Sequence, residues 1–149
     1  MGLSAVLGPG RTAVDTAIFI YLIEENPEFL PLVAPIFEET ARGERELVTS
    51  AITLLQVLVV PYRAGNLALA ERYEALLTRS RGLHLVELDR AQLRTAAQVR
   101  ALYSIRTPDA LQLAAALSRQ CATFVTNDRT LPDLAGIRIV QLRDHLAKR

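Results

Sequence analysis

TAVDTAIFIYLIEE, residues 12–25, is the stretch whose reading decides the fold. Thr12 to Asp15 reads as a buried strand. Thr16 to Glu25 reads as a helix, stopped at Asn26-Pro27 because the residue before a proline is pushed out of helical backbone. A short apolar strand running straight into a helix is the repeating unit of a parallel sheet. The same alternation continues outward from it. A helical stretch punctuated by Pro31 and Pro35 runs through Thr40, and the two prolines are expected to bend or split it. Residues 46–49 form a second strand, and Ser50 caps a helix over residues 51–63. Gly65-Asn66 breaks the chain before a helix over 67–79. Residues 83–88 read as a strand, and Asp89 caps a helix over 90–103. Thr107 caps the next helix, with Pro108 first and Asp109 second in it, running to about Gln120. Strands follow at 122–126 and 137–141, and the tail, 142–149, reads as a short helix. The expected fold is three-layer α/β/α around a central, mainly parallel sheet.

The chain has 149 residues, 50% hydrophobic and 22% charged, which suits one domain with a real core and excludes a disordered chain. Residues 1–11 read as an N-terminal extension closing on the Gly8-Pro9-Gly10 break, and residues 12–149 as the domain. A net charge of +1 argues against a strongly basic nucleic-acid clamp, though an acidic site with a basic rim remains compatible. Of the 17 basic residues only Lys148 is a lysine. The arginines suit phosphate recognition, but codon usage explains them at least as well. Cys121 is the only cysteine, which excludes an internal disulfide and a thiolate metal cluster. Its apolar neighbours suggest an inert core thiol. No apolar run is long enough to span a bilayer. The first residues lack a secretion signal, and Val6 stands where N-myristoylation wants Ser or Thr. A cytoplasmic protein without a membrane role is expected.

Ligands of open α/β sheets bind beyond the carboxyl ends of the strands. Asp15 ends the first strand, Asp128 follows the strand ending at Thr126, and Asp109 opens a helix whose start lies at the same edge. Each alone has an ordinary explanation as a cap, a turn former or a complement to a helix dipole. Their convergence favours a site. Gln56 lies in AITLLQVLVV, residues 51–60, the most apolar helix of the chain. An unpaired buried amide costs roughly 1–3 kcal/mol, so it needs a partner. It is either a core amide bonded to backbone or a fourth member of the site, because its side chain leans toward the helix start. Clustered carboxylates call for a proton or a hard cation, and oxygen ligands favour Mg²⁺ or Mn²⁺.

Four segments together, VDTAIFIYLIEE (14–25), SAITLLQVLVVPYRAGN (50–66), YSIRTPDALQLAAAL (103–117) and TFVTNDRTL (123–131), resemble the signature segments of PIN domains. The likeness is nearest to the VapC-type ribonuclease toxins of type II toxin–antitoxin systems. The resemblance implies metal-dependent RNA cleavage, an RNA substrate, a homodimer and a cognate antitoxin partner. It carries the metal-site acids onto Asp15, Asp109 and Asp128, and a supporting hydroxyl onto Thr126. The family usually has Glu where this chain has Gln56. An amide brings neither the charge nor a proton-accepting carboxylate, so a weakened or inactive endoribonuclease is expected.

Two other readings compete. A PIN fold that binds RNA or a partner without cutting is favoured by Gln56. A phosphotransfer enzyme with Asp15 as nucleophile would want a second Asp two residues on, where Ala17 stands, or a nearby Lys. His84 and His145 have no ligand-spaced partner or nucleophile. Arg63, Arg106 and Arg129 flank the site segments and are candidates for RNA phosphate contacts or plain ion pairs. The apolar faces of residues 51–62 and 67–77 exceed what one sheet face covers, which points to a homodimer or antitoxin contact.

Overall fold

The structure, a computed structural model, describes residues 2–146. Five strands form one parallel sheet: β1 (Arg11–Val14), β2 (Glu46–Ser50), β3 (Leu83–Val86), β4 (Thr123–Thr126) and β5 (Arg138–Gln141), in the order β3-β2-β1-β4-β5. Every pairing is parallel, so the sheet is wholly rather than mainly so. The helices are α1 (Leu3–Leu7), α2 (Thr16–Ile23), α3 (Leu30–Ala41), α4 (Ile52–Arg63), α5 (Leu67–Arg79), α6 (Arg90–Tyr103) and α7 (Thr107–Ser118). A 3₁₀ turn covers Leu142–His145, and the rest of the expected tail helix, residues 147–149, lies outside the described residues.

Strand periodicity sorts the core into two. Val14, Leu47 and Val125 join a cluster with side chains of α2 to α5. Their neighbours Ala13, Val48 and Phe124 join a second cluster with α6 and α7. Successive residues of a strand point to opposite faces, so these alternating apolar residues demand helices on both sides. Helix α7 is apolar nearly all round, with Ala110, Leu111 and Leu113 to Ala116 buried. The small alanines let it lie close against β1 and β2.

Several boundaries differ from the sequence reading. The stretch with two prolines is one helix, and the break falls ahead of it. The Asn26 side chain accepts from the backbone N–H groups of Glu28 and Phe29 (2.9 and 3.0 Å). Pro31 sits in the first turn of α3, where its missing N–H costs nothing, and Pro35 is held inside the helix. Ser50 ends β2 instead of capping α4. Its backbone is committed to the sheet edge, although its hydroxyl still accepts from the Ile52 N–H at 3.2 Å. The cap of α7 is Arg106, because the Ala110 N–H already donates to its carbonyl (3.0 Å). Thr107 spends its hydroxyl on Arg100 (3.1 Å), and Asp109 becomes the third helical residue.

The segment before β1 is folded: Leu3 and Leu7 of α1 are buried in the first core cluster. Arg45 fixes it there. Its side chain, only 8% exposed, pairs with Glu39 at 2.9 Å and donates to the carbonyls of Ser4 and Gly8 and to the Thr12 hydroxyl, each at 3.2 Å. Removing one partner of a buried pair strands the other charge. Arg45→Met is therefore expected to lower the unfolding free energy by roughly 3 kcal/mol. Urea denaturation would measure it, with Glu39→Gln/Arg45→Met recovering part of the loss.

Candidate active site

From β1 the chain builds outward to β3 and then returns to add β4 on the other side. The gap between the carboxyl ends of β1 and β4 is thus the place where an open sheet takes its ligand. Val14 lies opposite Val125, so the next residues, Asp15 and Thr126, emerge side by side. The Asp15 N–H still donates to the Val125 carbonyl (3.2 Å). Asp128 follows two residues after β4, and the first turn of α7 brings Asp109 to the same edge. Asp15, Asp109 and Asp128 all line one open cleft of about 650 Å³. A smaller adjoining cleft, about 210 Å³, shares these acids and adds Gln56.

Each carboxylate has a different environment. Asp15 receives the Thr126 hydroxyl on Oδ2, while its Oδ1 is buried with no hydrogen-bond partner. Burial pushes its carboxyl up to about 6, with Asp128 and Asp109 adding repulsion, against the opposing hydrogen bond from Thr126 and the nearby Ala17 N–H dipole. Thr126 is fully buried and serves both acids, because its oxygen also accepts from the Asp128 N–H (2.9 Å). Asp128 Oδ1 accepts from the backbone N–H and hydroxyl of Thr130 (2.9 and 2.5 Å), and these bonds, with Arg106 further off, hold its carboxyl below the usual range. Asp109 Oδ2 faces Arg106 Nε at 3.2 Å.

Gln56 bonds to a side chain, not to backbone: its Oε1 accepts from the Thr16 hydroxyl. Behind it lies a network that sequence reasoning missed. The buried Gln112 donates through Nε2 to Thr53 (2.7 Å) and Thr16 (3.3 Å). Its Oε1 accepts from the Thr49 hydroxyl (3.2 Å) and the Ser50 N–H (3.1 Å). Gln112 therefore ties β2, α4 and α2 to α7 and sets where Thr16, and hence the residue at position 56, can stand. The signal was the one that singled out Gln56, a lone amide in an apolar helix.

Other candidates lie apart. Arg63 and Arg129 line neither cleft, and Arg129 pairs with Asp144. His84 is on edge strand β3, 3.4 Å from Glu46, and His145 is in the 3₁₀ turn. Cys121 is buried, and burial pushes its thiol up to about 11.

Does the site suit a hard cation? Among the described residues, no three of His, Cys, Asp and Glu are grouped tightly enough to cage an ion. Mg²⁺, however, commonly takes one or two carboxylates and completes its shell with water and substrate phosphate. An all-oxygen donor set with a buried, unpartnered Asp15 oxygen fits that mode.

The PIN-domain family model matches residues 12–137. This chain belongs to the PIN-domain family. None of the curated proteins matches it. Among solved structures, the PIN fold here is similar to VapBC2 from Rickettsia felis bound to a promoter DNA fragment. The TM-score is 0.68 at 15% identity, covering 88% of this chain and 98% of that one. DNA-bound VapBC from Salmonella typhimurium gives a TM-score of 0.62 at 24% identity, with 90% and 99% covered. A toxin–antitoxin complex from Klebsiella pneumoniae gives 0.62 at 19%, with 85% and 94% covered.

A buried carboxyl raised to about 6 makes a definite prediction for the chain in a chelator. The folded state keeps this proton longer than the unfolded chain does. Its contribution to stability therefore falls as pH rises from about 4 through about 6 and stays low above that. Asp15→Asn, which keeps an acceptor for Thr126, should raise the melting temperature at pH 7.5, by the equivalent of up to about 3 kcal/mol. It should also flatten the fall between pH 4 and 7 in a thermal-melt series.

Proposed function

We propose that this PIN domain is a metal-dependent endoribonuclease of the VapC type, the toxin of a toxin–antitoxin pair, with its activity curtailed by Gln56. The observation that carries the reading is the convergence of Asp15, Asp109 and Asp128 at the β1/β4 gap, with one Asp15 oxygen buried and unpartnered. The likeness to VapBC and other toxin–antitoxin complexes supports it.

Asp15, Asp109 and Asp128 would hold Mg²⁺ or Mn²⁺, one or two of them directly and the rest through its water shell. Such an ion supplies polarisation of the RNA phosphodiester, an activated water and stabilisation of the leaving oxygen. Thr126 fixes Asp15 by one oxygen and leaves the other for ligation. Thr16 orients the residue at position 56 toward the acids. A glutamate there would receive a proton from the attacking water. The amide cannot, and it brings no charge to draw an ion in. Water is the nucleophile, so no covalent enzyme intermediate forms.

A second reading, a non-catalytic RNA- or partner-binding module, draws on the neutral Gln56 and on Arg106 beside two of the acids. Cleavage of structured RNA with Mn²⁺ separates the two. Gln56→Glu is expected to cut roughly a hundredfold faster than the native chain, and Gln56→Glu/Asp15→Asn not at all. Retained RNA binding with no gain of cleavage in Gln56→Glu would hand the case to the binding module.

A homodimer and an antitoxin complex belong to the same proposal, as does a cytoplasmic location; among the described residues no helix is long and apolar enough to cross a membrane. Leu55, Val60 and Tyr62 of α4, with Leu67 of α5, are each more than half exposed, which suits a protein partner. Sedimentation at micromolar concentration should give a dimer or a toxin–antitoxin complex, and Leu55→Glu/Val60→Glu should release the monomer. A native monomer that captures no antitoxin would remove this part.

A further inference from the structure

Arg106 is the basic residue that lines both clefts. Its Nε lies 3.2 Å from Asp109 Oδ2 and its Nη2 lies 3.9 Å from Asp128 Oδ2. These oxygens matter because Asp128 Oδ1 is already spent on Thr130. The oxygen left for a cation on Asp128 is the one that Arg106 faces, and on Asp109 the guanidinium takes Oδ2 directly. A dication and a guanidinium cannot share these carboxylates without strong repulsion.

The residue is also built to let go. The residues on either side of it are tethered to one side chain: Arg100 donates to the Ile105 carbonyl (2.9 Å) and to the Thr107 hydroxyl (3.1 Å). The Arg106 side chain is 77% exposed, and ion pairs this open to water contribute little and break readily. A tethered backbone thus carries a solvent-exposed cation, held to the acids by exposed ion pairs, at the rim of the cleft.

We propose that Arg106 exchanges partners. Without metal it clamps Asp109 and Asp128 as their counter-ion, and when a divalent cation takes those oxygens it turns to an RNA phosphate at the cleft rim. It is a positioning residue that couples metal loading to substrate grip, and this inference rests on the nuclease reading above. The exchange offsets the repulsion among the acids in the metal-free chain and spares the loaded site a misplaced positive charge.

The test compares the native chain with Arg106→Gln, both checked for equal melting temperatures. Mn²⁺ affinity is read from the electron paramagnetic resonance signal of the free ion. Affinity for a mixed-sequence single-stranded RNA is read from fluorescence anisotropy, with Mn²⁺ and with chelator. Arg106→Gln is expected to bind Mn²⁺ about three- to tenfold more tightly. It should bind RNA about threefold or more weakly with Mn²⁺ present, and almost normally in chelator. Arg106→Lys should restore part of the RNA affinity. Unchanged or weaker Mn²⁺ binding in Arg106→Gln, or an equal RNA defect with and without Mn²⁺, would overturn the exchange and leave the nuclease reading standing. If neither protein binds Mn²⁺, the metal site and the exchange fall together.

Discussion

The hydrogen-bonded register between β1 and β4 is the constraint on which the site depends. With Val14 opposite Val125, the chain must place Asp15 and Thr126 together where the two strands end. The strands are buried on both faces, so a slip by one residue would turn every apolar side chain to the wrong cluster. The same hydrophobic sorting that stabilises the sheet therefore fixes a carboxylate in a desolvated place it would otherwise avoid. Thr126 makes that tolerable by bonding one of its oxygens.

The polar network around Gln112 is the second element of this design. Threonine hydroxyls and one enclosed amide join α2, α4, α7 and β2 with their hydrogen-bonding groups matched. Such networks are worth most when complete, because a single unpaired member in the interior costs more than a paired one contributes. An amide at position 56 closes onto Thr16 as a carboxylate would. Either side chain at this position would thus find the same hydroxyl partner and leave the surrounding network in place.

Much of the fold was legible because it is written in period and punctuation. The strand–helix step at residues 12–25, the Gly65-Asn66 break and the Asp89 cap all act locally, and the Asp89 side chain accepts from the Gln92 N–H as a cap should. The misplaced starts at Ser50 and Thr107 were settled by longer-range demands, the sheet edge in one case and Arg100 in the other. The acids could be placed at one edge by topology alone. What the sequence could not show was which oxygen of each acid is already bonded, and that depends on Thr126, Thr130 and Arg106. Gln112 escaped notice for the same reason: its partners come from two distant segments, Thr16 and residues 49–53.

A parallel sheet also has two unlike ends. At the amino end, Arg45 and Glu39 neutralise each other and bind α1 to the strand starts. At the carboxyl end stand the acids, one of them with an oxygen left unbonded. The two are separated by the length of a strand, about 15 Å. A dye, a bead or a fusion partner joined ahead of α1 therefore attaches at the amino edge of the sheet, opposite the edge that carries the cleft. Tethering there would leave the cleft open to long ligands in single-molecule or surface-capture work.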